Sequence, residues 1–124
     1  MSTYTPQSPS AYRANAVLTA TSEQLVVALY DGVHRFLFQA STAMANKEIQ
    51  TAHFKQKRAE GIIQHLLDTL DMEQGEIAQR LNAIYSFCLE HLRQARLEQN
   101  HRKLDEVDEM LGKLRQSWAE IAQR

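Results

Sequence analysis

The chain has 124 residues, long enough for one domain whose hydrophobic core needs no disulfides or metals. Hydrophobic residues make up 44% and charged residues 23%, a globular composition that argues against disorder. The formal net charge of -1 excludes a strongly basic surface field, so we expect neither nucleic acid nor an anionic membrane as a partner.

Residues 1–20 form the first predicted element, a flexible N-terminal tail. Both prolines, Pro6 and Pro9, lie in it, and residues 21–124 contain none. The tail lacks the apolar stretch of a secretory signal, and no run of about eighteen apolar residues could span a membrane. We therefore expect a soluble cytoplasmic protein with one helical domain at residues 21–124.

Helix one is predicted to begin at an N-cap, Thr21, and to end near Asn46. Gln24 stands three positions after Thr21 and completes a capping box. The helix carries two adjacent apolar stripes, which consist of Leu25, Leu29, Phe36 and Ala40, and of Val26, Tyr30, Val33, Leu37 and Met44. A helix that is apolar over two stripes contacts more than one neighbour or leaves an apolar face uncovered.

Helix two is predicted from about Lys47 to Leu70, and residues 71–75 form a tight connection to helix three. Helix three begins near Ile77 and also carries two apolar stripes. The chain's only cysteine, Cys88, lies on this helix. A single cysteine cannot form an internal disulfide and suits a reducing compartment. Because Cys88 lies on an apolar stripe, we expect a buried structural thiol rather than a nucleophile.

Residues 99–101 interrupt the apolar pattern, and helix four follows with apolar residues spaced by three and four. They are Leu104, Val107, Leu111, Leu114, Trp118 and Ile121. Four helices joined by short turns must alternate in direction. The sequence therefore predicts an all-α, antiparallel four-helix bundle with a short N-terminal extension.

The residues that could carry chemistry do not form a recognisable catalytic set. A di-iron bundle needs two Glu-x-x-His pairs, and the single pair, Glu98 and His101, lies in a predicted turn. No two histidines have the i, i+4 spacing of a helical zinc site, and no Gly-rich phosphate loop is present. We therefore predict no enzyme activity, no metal and no cofactor.

Two alternatives to a binding function stay open. A histidine phosphotransfer module is also a four-helix bundle, and His65 is the candidate histidine, although Leu66, Leu67 and Asp68 after it are poorly suited to neutralise a phosphate. A self-associating structural bundle would bury its spare apolar stripes against a second copy.

Three stretches of sequence are similar to one family. Residues 12–22 read Y-x4-V-x-T-A-T-S, residues 29–37 read LYDGVHRFL, and residues 70–78 read LDMEQGEIA. In this order they resemble the flagellar secretion chaperones, which are flagellin-specific export chaperones. The resemblance covers nearly the whole chain.

This resemblance implies a cytoplasmic chaperone that binds the disordered C-terminal segment of flagellin, prevents its premature polymerisation and delivers it to the type III export gate. A disordered client requires extended apolar grooves. We hypothesise that the second stripes of helices one and three form them, with the residues Val26, Tyr30, Val33, Leu37, Tyr85, Leu89 and Leu92. The family also suggests that the tail occupies a client groove, with Tyr12 and Val17 as a displaceable latch. An exposed client groove is compatible with a weak homodimer.

Overall fold

The computed structural model describes residues 21–123, and this part of the chain is helical throughout apart from its turns. It contains four α-helices and one 3-10 turn and has no strand within the described range. The elements are α1 (Ser22–Ala45), α2 (Ile49–Asp68), the 3-10 turn (Met72–Gln74), α3 (Glu76–Glu98) and α4 (His101–Ala122). The predicted all-α class is confirmed.

The four helices form a ring. Consecutive helices pack against each other, and α1 packs against α4, which closes the ring. Because the connections are short, consecutive helices run in opposite directions, and the result is the predicted antiparallel bundle. Contacts of α1 with both neighbours are more extensive than those of α3. Small residues explain part of this difference: a Cβ on Gly32 would lie 3.1 Å from Cδ1 of Ile62.

The helix ends follow local capping chemistry. The predicted capping box is confirmed: Gln24 N donates to Thr21 Oγ1 at 3.1 Å, and Thr21 N donates to Gln24 Oε1 at 3.0 Å. Helix two was predicted too long at both ends. Its start is delayed because Lys47 adopts φ 61, which no α-helix contains, and Thr69 ends it by donating its hydroxyl to the His65 carbonyl at 2.8 Å.

The core of the bundle is built from inward stripes of all four helices. On α1 the inward stripe contains Tyr30, Val33 and Leu37, whereas Leu29 and Phe36 of the other stripe are only partly buried. Cys88 is fully buried, as predicted, and burial raises the pKa of its thiol to about 12. No helix within residues 21–123 is long and apolar enough to cross a membrane.

Candidate binding surface

The residues predicted to bind a client do not form a spare surface stripe. Five of the seven are buried in the core: Tyr30, Val33, Leu37, Tyr85 and Leu92. Val26 and Leu89 are partly buried against the core. The expectation that these five residues form an apolar surface beyond what the core needs was wrong, because their side chains face the bundle axis. The second apolar stripe of each of these helices lies at the boundary with a neighbouring helix. Their role in binding stays a prediction, and Tyr12 and Val17 lie outside the described residues.

Tyr30 and Tyr85 join α1 to α3 across the centre of the bundle. Their hydroxyl oxygens are 2.6 Å apart, and their rings meet edge to face with centroids 6.5 Å apart. Burial raises the pKa of both phenols, so both stay protonated at neutral pH. A hydrogen bond of this kind in an apolar interior fixes the relative position of two helices that are not sequence neighbours.

An apolar cavity of about 440 Å³ opens at one end of the bundle, and we call it the end cleft. The start of α1, the end of α2, the start of α3 and the end of α4 meet there. Its apolar lining consists of Val26, Leu66, Leu70, Ile77, Ala78, Leu81 and Trp118, and Tyr85 also lines it. Ile77 is 68% exposed, so the cleft has an apolar rim in contact with solvent.

The boundary between α3 and α4 carries further apolar side chains, and we call it the α3–α4 groove; Ile77 and Trp118 at one end of it also line the end cleft. His91 of α3 bonds Glu106 of α4 at 2.7 Å, which shows which faces of the two helices meet. The apolar side chains along these two helices that are exposed or only partly buried include Ile77, Ile84 and Phe87 on α3 and Met110, Leu114, Trp118 and Ile121 on α4. Ile77, Phe87 and Ile121 are exposed. Together they form an uncovered apolar strip along two helices.

The boundary between α1 and α4 is polar instead. Arg115 donates to Asp31 at 2.7 Å, and the His34 ring lies 2.9 Å from an Asp108 carboxylate oxygen. Burial raises the pKa of Asp108, and the hydrogen bond from His34 opposes this shift only in part. These pairs hold α4 against α1 and line a cavity of about 430 Å³ at this boundary, whose lining residues are mostly polar or charged.

The histidine and acidic residues do not assemble into a catalytic constellation. Within residues 21–123, no three His, Cys, Asp or Glu side chains come together as a metal-binding group. His65 is exposed near the end of α2. Glu98 is the last residue of α3 and His101 the first of α4, so the pair borders the turn in which the sequence placed it.

Some residues of the uncovered strip were assigned to the core by sequence reasoning. Ile77 and Ile121 fit the three- and four-residue spacing of core positions, yet both lie at the ends of their helices, where the neighbouring helices no longer cover them. Phe87 was not predicted as a site residue. The sequence feature that could have identified it is its helical spacing from Ile84 and from His91. The rings of Phe87 and His91 stack with their centroids 5.1 Å apart.

Comparison with known proteins gives a consistent result. A family model described as flagellar protein FliS matches residues 5–124. The chain is 32% identical over 113 residues to the flagellar secretion chaperone FliS of Campylobacter jejuni, covering 90% of this chain and 88% of that one. It is 30% identical over 114 residues to the protein of the same name in Bacillus subtilis, covering 92% and 85%. With the Escherichia coli protein of that name the identity is 33% over 108 residues, covering 86% and 79%.

Proposed function

The chain belongs to the family of the flagellar protein FliS, and from this premise we propose that it is a flagellar export chaperone for flagellin. It binds the disordered C-terminal segment of flagellin in the cytoplasm and prevents premature polymerisation. It then delivers the subunit to gate components of the type III flagellar export apparatus.

The observation that carries this proposal is the continuity of the end cleft with the α3–α4 groove. Ile77 and Trp118 belong to both, so one uncovered apolar path runs over the bundle end and along two helices. A disordered segment that folds on binding needs such an extended surface, because each contact is weak and the cost of ordering the segment is large. An amphipathic helix of the client would lay its apolar face into this groove.

The seven residues hypothesised from the sequence take part to different degrees. Val26 and Tyr85 line the end cleft, but only Val26 is partly exposed, whereas Tyr85 is buried. Leu89 lies partly exposed on α3. Four of them, Tyr30, Val33, Leu37 and Leu92, contact the client only if helices separate. The less extensive packing of α3 makes it the helix best placed to move.

We also propose that the tail acts as a latch in the end cleft. Ser22 and Glu23, the first residues of α1, line the cleft, so the preceding chain enters the bundle at its rim. Val17 lies four residues before Thr21, and an extended chain of that length reaches about 14 Å. Val17 and Tyr12 can therefore occupy the cleft until flagellin displaces them. Without client, the same apolar surface supports weak self-association.

The test is binding of a C-terminal flagellin fragment, with Ile77→Ser as the probe and Leu97→Ser as the matched control. Both side chains lie on α3 with nearly equal exposure, 68% and 69%, but Leu97 lies on a different face from the groove. We expect a one-to-one complex in which the fragment gains helix by circular dichroism. Ile77→Ser should weaken binding about tenfold because the buried contact area of one large apolar side chain is lost.

The control variant should bind like the unmodified protein. Equal affinities of both variants would show that the groove is not the binding surface. The absence of any complex with the unmodified protein would contradict the proposed function itself.

A further inference from the structure

A row of alternating cations and aromatic rings crosses the boundary between α1 and α2. Arg35 Cζ lies 5.1 Å from the centroid of the Phe36 ring, and Lys55 Nζ lies 5.8 Å from the same ring. Lys55 Nζ is also 5.9 Å from the Phe54 ring, and Arg58 Cζ is 5.2 Å from it. We call these five residues the cation–aromatic face. Each ring thus has two cations within cation–π distance.

The cations of this face lack carboxylate partners within the described part of the chain. No Asp or Glu oxygen of residues 21–123 forms an ion pair with Arg35, Lys55 or Arg58. Six other Lys and Arg side chains do have such a partner: Arg80, Arg93, Arg96, Lys103, Lys113 and Arg115. Lys47, Lys57 and Arg102 also lack such a partner within residues 21–123, but only Arg35, Lys55 and Arg58 combine an unpaired charge with a cation–π contact to Phe36 or Phe54.

The same face also offers apolar contact area. Phe54 is 56% exposed, and Phe36 is partly buried at the boundary of the two helices. Arg35 and Arg58 are exposed and Lys55 is partly buried, so cations and an exposed ring lie side by side on one surface. A ligand that satisfies both needs carboxylates for the cations and an apolar side chain for Phe54.

We propose that the cation–aromatic face docks an acidic segment of a partner protein, whose carboxylates bind Arg35, Lys55 and Arg58 and whose apolar side chain packs on Phe54. Charge complementarity selects this occupant. A nucleic acid fits less well, because cations engage the ring faces on which bases would stack and the chain as a whole carries no positive excess.

The face is separate from the proposed flagellin surface. It uses the middle of α1 and the first half of α2, whereas the end cleft uses the start of α1 and the end of α2. The α3–α4 groove involves neither of these helices. An acidic segment can therefore dock while the client is bound, and the two binding events can be measured independently.

The test uses a synthetic peptide of roughly ten residues in which glutamates flank two phenylalanines, compared with a peptide that carries lysines instead. Binding is measured by fluorescence anisotropy with full-length protein in about 50 mM NaCl. The variant is Arg35→Gln with Arg58→Gln, and the matched control is Arg80→Gln with Lys113→Gln, two exposed cations elsewhere. We expect the unmodified protein to prefer the acidic peptide and the first variant to bind it about tenfold more weakly.

The control should bind within about twofold of the unmodified protein, since its cations lie outside the face. A third variant, Phe54→Ser, should also lose peptide binding, whereas Phe87→Ser should not. Circular dichroism and urea unfolding confirm that each variant is folded.

No preference for the acidic peptide, or equal losses in both double variants, would overturn the proposal. If a single-stranded oligouridylate bound more tightly than the acidic peptide, and if this binding depended on Arg35 and Arg58, the partner would be an RNA rather than a protein. If the unmodified protein did not bind the flagellin fragment, the proposed chaperone function would be refuted. The result for the acidic peptide would be unaffected.

Discussion

Tyr30 and Tyr85 share a single hydrogen bond, so the two residues must act as one unit. Replacing either by Phe keeps the ring but leaves the other hydroxyl without its partner in a buried position. We expect each single variant to lose about 1–2 kcal/mol of unfolding free energy, measured by urea denaturation. The double variant should lose no more than one single variant does. Additive losses would show that the hydroxyls do not interact.

Cys88 offers a second measurement at the scale of one residue. The thiolate is the reactive form, and burial raises the pKa of the Cys88 thiol to about 12. At about pH 8 the folded protein should therefore react with a thiol reagent many times more slowly than the protein in strong urea. Because pH 8 lies far below this pKa, the native rate should keep rising about tenfold per pH unit without a plateau until the protein unfolds. A native rate close to the unfolded rate would place the thiol at the surface.

The helices themselves were predictable, because their signals are local. The capping box at Thr21 and the interruption at residues 99–101 each define a helix end within a few residues of sequence. The core stripe of α1 was not predictable, since Leu29 and Phe36 are as apolar and as regularly spaced as Tyr30 and Val33. Only the positions of α2 and α4 decide which stripe faces the axis. The exposure of Ile77 follows likewise from where the neighbouring helices end.

Two glycines allow a test of backbone conformation at the scale of one element. Gly61 lies inside α2, and a Cβ there would meet nothing within 4 Å. Gly61→Ala should stabilise the protein by up to about 1 kcal/mol, because alanine loses less conformational entropy in a helix. Gly75 precedes α3 with φ 74, which an L residue rarely adopts. Gly75→Ala should therefore destabilise it by about 1–2 kcal/mol.

Thermal unfolding followed by circular dichroism compares these two variants directly. The same added methyl group is expected to act in opposite directions, so a shift of the same sign in both would contradict the argument. Because Gly61 is exposed and lies outside the end cleft, flagellin binding should be unchanged in Gly61→Ala.

Across the whole molecule, the uncovered surfaces are separated by chemistry. The apolar path runs over the bundle end and the α3–α4 groove, whereas the cation–aromatic face lies on the α1–α2 side. The polar α1–α4 boundary lies between them. The two proposals therefore use different surfaces, and together they predict that the client and an acidic partner bind at the same time.

The latch hypothesis makes a prediction for the full chain. If Tyr12 and Val17 occupy the end cleft, only a fraction of the molecules can bind the client at any time. The apparent affinity for the client is then reduced by that fraction. Deleting residues 1–17 should therefore tighten binding of the flagellin fragment several-fold. Replacing Tyr12 and Val17 by Ser in the full chain should have the same effect, and Tyr4→Ser serves as the control.

A second readout does not depend on the client. Trp118 lines the end cleft and is the only tryptophan in the chain, so its fluorescence reports on occupation of the cleft. Without the latch, water reaches the ring and its emission should shift to longer wavelength. Weaker client binding after the deletion would make the tail part of the binding site. Unchanged affinity together with unchanged emission would show that Tyr12 and Val17 do not enter the cleft.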